Sequence, residues 1–125
     1  MRAPYPPLPL NELSRQRLID EHPCFLESNS DAFLDEVVKI AALYFNTPIC
    51  LITIVERNRQ WFRARLGVDR PETPRGDSFC AYSVATGESI EVCDALEDER
   101  FRDNTLVTGE PGIRYYAGVP LVLED

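Results

Sequence analysis

Residues 77–121 carry three short motifs, DSFCAY (77–82), DERF (98–101) and GEPGIRYYAGVPL (109–121). In each motif, aromatic, thiol or charged side chains stand between short apolar runs. None of them matches a catalytic motif with a fixed mechanism, such as a phosphate-binding loop or a nucleophile paired with a base. The stretch therefore argues against hydrolytic catalysis.

The size and charge of the chain limit the classes of protein it can belong to. Its 125 residues are enough for one domain with one core. The net charge of −8 argues against a protein that binds the phosphate backbone of a nucleic acid. No apolar run approaches the ~20 residues of a membrane span, and the first ten residues lack the apolar segment of a signal peptide. We expect a cytoplasmic protein with no membrane insertion and no nucleic-acid partner.

The cysteines and the single histidine give no metal signature. The cysteines are Cys24, Cys50, Cys80 and Cys93. None are spaced as Cys-x-x-Cys, and His22 is too distant from most of them for a zinc site. Without an export signal, we expect free thiols and predict no metal site.

The first half of the chain predicts two helices and a hairpin. Residues 1–9 are proline-rich and are expected to be flexible. A short helix should run from Asn11 to about Asp20. A stronger helix should begin at Ser30 or Asp31 and end near Phe45. Its predicted apolar face consists of Phe33, Leu34, Val37, Val38, Ala41, Tyr44 and Phe45.

Residues 48–55 are apolar on both faces, which predicts a strand in the middle of a covered sheet. Residues 60–66 alternate and predict its partner, with Phe62, Ala64 and Leu66 on one face and Trp61, Arg63 and Arg65 on the other. Residues 67–76 read as a loop.

The second half predicts shorter elements. A helix should span residues 79–86, capped by Asp77 or Ser78 and ended by Gly87. Strands are expected at 89–93 and, interrupted by a glycine and a proline, at 113–122. A helical turn is expected within 94–104. Because helices and strands do not alternate regularly, the sequence favours an α+β fold with an antiparallel sheet.

Eight segments in order resemble the GAF domains at the N-terminus of bacterial sensor histidine kinases and diguanylate cyclases. They are Asn11-Glu12 with Arg17-Leu18, NTPI (46–49), RQWF (59–62), PETPR (71–75), DSFCA (77–81), RF (100–101), LVTGEP (106–111) and RYYAG (114–118). The resemblance implies that residues 10–125 form a GAF domain. In that fold helices cover both faces of an antiparallel sheet, and the pocket lies between the sheet and the shorter helices and loops.

The chain departs from this pattern in two ways. Tyr82 stands where this branch of the family usually carries histidine, which would change the polarity of the pocket. Family members also continue past residue 125 with a strand, placed between the strands expected at 48–55 and 113–122, and with a C-terminal helix. We therefore expect a domain truncated at its C-terminus that forms a homodimer, by edge pairing or by exchange of an element.

From the resemblance and the chemistry of the residues we predict a ligand site, but neither identifies a cofactor. The candidates are Trp61, Phe62, Cys80, Tyr82, Asp94, Arg100, Phe101, Tyr115 and Tyr116. Cys80, near a helix N-terminus, is either a reactive thiol or a packed one. Trp61 is either a stacking surface for a ligand ring or the partner of a neighbouring arginine. Tyr115 and Tyr116 alternate, so one of them should point inward. We predict no catalytic residue.

Three functions remain open at this stage. The first is a small-molecule sensor in bacterial signal transduction, within a two-component system or a diguanylate cyclase, which regulates an attached output domain. The second is a redox enzyme resembling free methionine sulfoxide reductase, which would use Cys80 and Cys93. The third is a dimerisation module without a ligand.

Overall fold

The computed structural model describes residues 2–123, which form two compact units. The first unit comprises residues 13–73, and the second comprises residues 2–12 together with 74–123. Within residues 2–123, no helix has both the length and the apolar character needed to cross a membrane.

Four helices and five strands make up the described residues. The α-helices are α1 (Glu12–Glu21), α2 (Ala32–Phe45), α3 (Cys80–Thr86) and α4 (Thr105–Thr108). The strands are β1 (Cys50–Val55), β2 (Arg59–Leu66), β3 (Glu72–Pro74), β4 (Ile90–Val92) and β5 (Tyr116–Gly118). Short 3-10 turns occupy Pro23–Leu26, Arg75–Asp77 and Ala95–Glu97. The predicted α+β class is confirmed.

Helix α2 has well-defined signals at both ends. The side chain of Asp31 accepts hydrogen bonds from the backbone N–H groups of Phe33 and Leu34, at 2.9 and 3.1 Å. These bonds satisfy donors that the first turn leaves unpaired. At the other end Asn46 adopts a left-handed conformation with φ of 53°. The helix predicted to start at Ser30 or Asp31 and end near Phe45 is therefore confirmed.

The apolar face predicted for α2 is only partly correct. Of the predicted residues only Val38 is buried, together with Ala42, which was not predicted, and the helix packs against β1 and β2. Phe33, Tyr44 and Phe45 are instead exposed, at 74, 82 and 69%. The helix carries apolar residues around most of its circumference, and only one side of it meets the sheet.

Strands β1 and β2 form the expected antiparallel hairpin. Cys50 pairs with Leu66 at one end and Val55 with Gln60 at the other, with an irregularity in the register between Ile52 and Thr53. After the hairpin, Gly67 has a φ of 83°, and an added Cβ there would collide with the Pro48 carbonyl oxygen. This close approach explains why glycine follows β2.

The predicted faces of β2 are confirmed, because Phe62 and Ala64 are buried while Arg65 is exposed. The expected central position of residues 48–55 is wrong for the described residues. The sheet order is β1-β2-β3, so β1 lies at an edge and is mostly half-buried. The segment predicted as a loop, 67–76, contains β3. Just before β3, the Pro71 carbonyl accepts a hydrogen bond of 2.9 Å from the Phe62 N–H of β2.

The second unit is built around an apolar core. The buried members are Phe79, Val92, Ala95, Phe101, Leu106 and Val107. Helix α3 begins close to the predicted residue, and the Ser78 hydroxyl accepts a hydrogen bond from the Ala81 N–H at 3.0 Å. It ends at Gly87 with φ of 73°. Helix α4 was not predicted, since its four residues give no periodic signal.

The last predicted strand is much shorter than expected. Only Tyr116–Gly118 pairs with β4, in antiparallel register. Upstream, the Ile113 N–H donates to the Leu106 carbonyl at 2.9 Å, and the Arg114 carbonyl accepts from the Ala95 N–H at 2.6 Å. Because the Ile113 N–H and the Arg114 carbonyl are hydrogen-bonded to a helix and to a 3-10 turn, they do not pair with a strand. Pro120 has no N–H and cannot extend the hydrogen bonding between β4 and β5.

Residues 2–9 contain no helix or strand, but they make contacts within the second unit. Pro6 is buried, and the Tyr82 hydroxyl donates a hydrogen bond of 3.4 Å to the Pro4 carbonyl. The Tyr5 ring lies against Gly76, where an added Cβ would come within 3.2 Å of it.

Candidate functional site

Four aromatic rings of the second unit pack around one point. Phe79 and Phe101 stack nearly parallel, with ring centroids 4.0 Å apart. Tyr82 meets Phe101 edge to face at 5.0 Å, and Tyr116 contacts Phe79 at 5.1 Å. We call these four residues the aromatic cluster. Helix α3, the DERF segment and β5 each supply part of it, so the three motifs that are distant in sequence meet here.

A thiol and a phenol lie together at the edge of this cluster. The sulfur of Cys80 and the hydroxyl oxygen of Tyr116 are 3.0 Å apart and share a hydrogen bond. Burial, strengthened by the neighbouring thiol, raises the pKa of Tyr116 well above its usual value of 10. The phenol therefore stays protonated and can act as a hydrogen-bond donor at neutral pH.

Arg100 covers another side of the cluster. Its guanidinium carbon lies 5.5 Å from the centre of the Tyr82 ring and 5.0 Å from that of Phe101. Asp98 holds it through two hydrogen bonds of 3.0 and 2.8 Å. This pairing lowers the pKa of Asp98 and raises the pKa of Arg100. Desolvation raises the pKa of Tyr82, so its ring faces the cation as a neutral phenol.

Two predicted site residues of this unit lie elsewhere. Tyr115 is 52% exposed, and its hydroxyl donates a hydrogen bond of 2.7 Å to Glu91. That bond raises the pKa of Tyr115. The carboxylate of Asp94 is exposed and accepts a hydrogen bond of 3.0 Å from the Leu96 N–H, which caps a 3-10 turn. The expectation that one of the two consecutive tyrosines points inward is confirmed, and the inward one is Tyr116.

Trp61 and Phe62 belong to the first unit. The guanidinium carbon of Arg59 lies 4.8 Å from the centre of the Trp61 ring. The indole N–H is buried and finds no hydrogen-bond partner among residues 2–123. Phe62 is 5% exposed. Both residues help to line an open cleft of about 420 Å³, which also involves residues 27–30, Asp35, 63–65 and Pro71.

Three residues that contact the candidate site residues were not predicted from the sequence. Phe79 stacks on Phe101, Asp98 orients Arg100, and Arg59 lies over Trp61. The last could have been found, because residues two apart on a strand share a face. The stacking of Phe79 on Phe101 depends on a contact between two segments that sequence spacing does not reveal. The Asp98–Arg100 pair depends on a local turn, in which the Arg100 N–H also donates to Asp98 at 2.9 Å.

Only part of the aromatic cluster and its neighbours is accessible. Phe79 and Phe101 are buried, while Cys80, Tyr82, Arg100 and Tyr116 are half-buried around them. The four cysteines are free thiols, with Cys24 and Cys93 exposed. Among residues 2–123, no three His, Cys, Asp or Glu side chains are grouped so that they could hold a metal ion.

Two comparisons with known proteins bear on this chain. The profile of the GAF domain family matches residues 29–125. The chain is also 51% identical over 120 residues to a cyclic di-GMP phosphodiesterase of Pseudomonas aeruginosa. That alignment covers 96% of this chain but only 20% of the relative, so the chain spans about a fifth of the relative's length. The resemblance inferred from the eight segments is confirmed.

Proposed function

We propose that this chain, which belongs to the GAF domain family, is the sensory domain of a bacterial signalling protein. A small molecule would bind to it and change the activity of an output domain in the same polypeptide. We place this protein in the cytoplasm and propose that it works as a homodimer.

The observation that carries the proposal is the identity of 51% to a cyclic di-GMP phosphodiesterase. The sequence alone suggested a kinase or a diguanylate cyclase as the output. The relative instead supports an output domain that acts on cyclic di-GMP. A sensory domain is a natural component of such a protein, because the level of a second messenger must follow a signal.

For the ligand we propose two surfaces, one in each unit. Around the buried ring of Phe101, the half-buried residues Cys80, Tyr82, Arg100 and Tyr116 offer a thiol, a tyrosine ring, a cation and a phenolic donor. This set suits a flat, partly anionic molecule.

In the first unit, Trp61 and Phe62 lie at the open cleft of about 420 Å³. Tyr82, in the place of the family's usual histidine, would make the ligand of this chain differ from that of its histidine-bearing relatives.

Binding can regulate the output only through unequal affinity for two conformations of the protein. The Asp98–Arg100 pair is suited to such a difference. A carboxylate or phosphate on the ligand would compete with Asp98 for the guanidinium, and the 98–101 segment would then move with Arg100. The loop before α4 would therefore be the first part of the domain to change conformation when the ligand binds.

The test is a thermal-shift screen of the chain with cyclic di-GMP and a library of flat aromatic and heterocyclic acids. We expect at least one compound to raise the Tm, with the shift lost in Arg100→Ala and retained in Leu121→Ala, which removes an exposed side chain elsewhere. A screen in which no compound shifts the wild-type Tm would contradict a sensory role. Turnover of free methionine sulfoxide with loss of thiol titre would favour the redox enzyme instead.

A chimera tests the output separately. The matching fifth of the P. aeruginosa phosphodiesterase would be replaced by this chain, and hydrolysis of cyclic di-GMP would be measured with and without a compound from the screen. We expect the compound to change the rate in the chimera and to have no effect on the Arg100→Ala chimera. An unchanged rate of hydrolysis would mean that the ligand binds to this domain but does not control this output domain.

A further inference from the structure

Residues 2–9, which belong to the second unit, show a regular pattern of burial. The sequence PYPPLP (4–9) has four prolines in six positions. Ala3 is half-buried and Pro6 and Pro9 are buried, while the residues between them are exposed. An interval of three is the repeat of a polyproline II helix, in which every third residue lies on the same side. We call residues 2–9 the N-terminal strap, because one side of this segment is buried at regular intervals.

The N-terminal strap meets the candidate ligand site at Tyr82. The hydroxyl of Tyr82 donates a hydrogen bond of 3.4 Å to the Pro4 carbonyl. The ring of the same residue contacts Phe101 edge to face at 5.0 Å, and the Arg100 guanidinium carbon lies 5.5 Å from its centre. One side chain therefore belongs both to the proposed ligand surface and to the contact with the strap.

Two neighbours of Pro4 hold the strap on the protein. The Tyr5 ring lies so close to Gly76 that an added Cβ would come within 3.2 Å of it. Pro6 is less than 2% exposed. Because proline has a fixed φ, a proline-rich segment loses little conformational freedom when it docks. The contact is nevertheless short and lies at a chain terminus, so it can open while the rest of the unit stays folded.

We propose that the N-terminal strap is an autoinhibitory segment that closes the candidate ligand site at Tyr82. This inference rests on the sensory function proposed above and adds a step that controls access to the site. While the strap is docked, the Pro4 carbonyl occupies the Tyr82 hydroxyl. A ligand that hydrogen-bonds to this hydroxyl has to displace the strap. Histidine, the usual residue of the family at this position, has a shorter side chain without a hydroxyl, so the contact depends on tyrosine.

Competition with the strap lowers the apparent affinity for any ligand of this site. Ligand binds only to the molecules whose strap is open, so the apparent dissociation constant is the intrinsic one divided by the open fraction. A strap that is docked in about nine of ten molecules weakens binding ~10-fold. Binding in turn leaves the strap undocked. The docked and undocked strap are thus two states for which a ligand has unequal affinity, as regulation requires.

Binding of anilinonaphthalene sulfonate to the full 125-residue chain, followed by fluorescence, tests the proposal. This probe is an aromatic anion, which is the class of ligand proposed for the site. Pro6→Ala removes part of the buried side of the strap. Pro7→Ala is the matched control, because Pro7 is exposed in the same segment and its replacement also removes one proline. We expect the dissociation constant of the probe to fall ~10-fold in Pro6→Ala and to keep its wild-type value in Pro7→Ala.

Tyr82→Phe guards against misfolding of Pro6→Ala, and circular dichroism checks the fold of each variant. Tyr82→Phe keeps the ring and removes only the hydroxyl that bonds to Pro4, so it should lower the dissociation constant of the probe as well. Adding Arg100→Ala to Pro6→Ala should raise the dissociation constant again, because the sulfonate loses its cation.

Two results would overturn the proposal. Equal dissociation constants in the wild type, Pro6→Ala and Tyr82→Phe would mean that the strap does not restrict the site. Tighter binding in Pro6→Ala that persists after Arg100→Ala is added would mean that the probe binds apolar surface uncovered by the substitution. Either result is distinct from failure of the sensory function, which would appear as the absence of any hit in the thermal-shift screen.

Discussion

At the scale of single residues, Phe62 gives the most direct test of the hairpin. Its ring is 5% exposed on the buried face of β2. Phe62→Ala removes this ring and leaves a cavity, so we expect a loss of ~3–5 kcal/mol in the free energy of unfolding, measured with urea at neutral pH. Arg65→Ala, on the exposed side of the same strand, should cost less than ~0.5 kcal/mol. A loss below ~1 kcal/mol for Phe62→Ala would show that this face is not core.

Tyr116 should make stability depend on pH in the alkaline range. Its pKa is raised by burial in the folded protein, while the unfolded chain titrates near 10. Above pH 10 the unfolded state releases a proton that the folded state keeps, so stability falls as the pH rises, by up to ~1.4 kcal/mol per pH unit. Tyr116→Phe lacks this proton and should lose less stability than the wild type between pH 9 and 11.

The control for this experiment is Tyr44→Phe, which removes a phenol that is 82% exposed. It should follow the wild-type pH profile. At neutral pH, Tyr116→Phe should cost ~1 kcal/mol through loss of the hydrogen bond to Cys80. Parallel pH profiles for the wild type and Tyr116→Phe would mean that this hydroxyl is hydrated in the folded protein.

Individual residues also show how far sequence reasoning reaches. The inward position of Tyr116 and the burial of Phe62 follow from the period of a strand, which needs only local sequence. The stacking of Phe79 on Phe101 joins residues 22 positions apart, and the hydrogen bond between Cys80 and Tyr116 spans 36. Such meetings depend on how the loops return, and no local pattern encodes that.

At the scale of elements, the start of α2 is set by one side chain. Asp31 accepts hydrogen bonds from two N–H groups of the first turn. Asp31→Ala leaves those donors without this acceptor and should cost ~1 kcal/mol, within a range of roughly 0.5–2 kcal/mol. Urea unfolding monitored by circular dichroism would measure it. Asp31→Asn keeps an acceptor and should cost much less, and equal losses for the two variants would assign the effect to charge and not to the cap.

Elements with strong local signals were predicted well, and weakly marked ones were not. Helix α2 has a capping residue, 14 residues without glycine or proline and a left-handed end, and β2 alternates cleanly. Strand β3 and helix α4 have three and four residues, too few to show a period. The expected long strand at 113–122 failed because its carbonyl and N–H groups bond to residues 95 and 106. Apolar character alone did not reveal that competition.

At the scale of the whole molecule, the second unit is assembled from two separate parts of the chain, residues 2–12 and 74–123. The sequence predicted one domain but could not predict this division, because the two parts are related only through tertiary contacts. An ion pair between Arg75 and Glu12 links these two parts. Arg75 is 1% exposed and donates to both carboxylate oxygens of Glu12, at 2.5 and 3.2 Å. Sequence spacing gives no sign of this pair, because 63 positions separate its members.

Glu12→Gln should therefore destabilise the protein strongly. The substitution removes the carboxylate opposite a buried guanidinium, and loss of one partner of a buried pair costs ~3–5 kcal/mol. Asp20→Asn provides a matched control. It breaks the pair between Asp20 and Arg57, whose side chains are 56 and 59% exposed, and an exposed pair contributes at most ~1 kcal/mol. Urea unfolding of both variants at pH 7 measures the contrast. Similar small losses would mean that water reaches Arg75 in the folded protein and that the two parts of the unit are held together by apolar contacts instead.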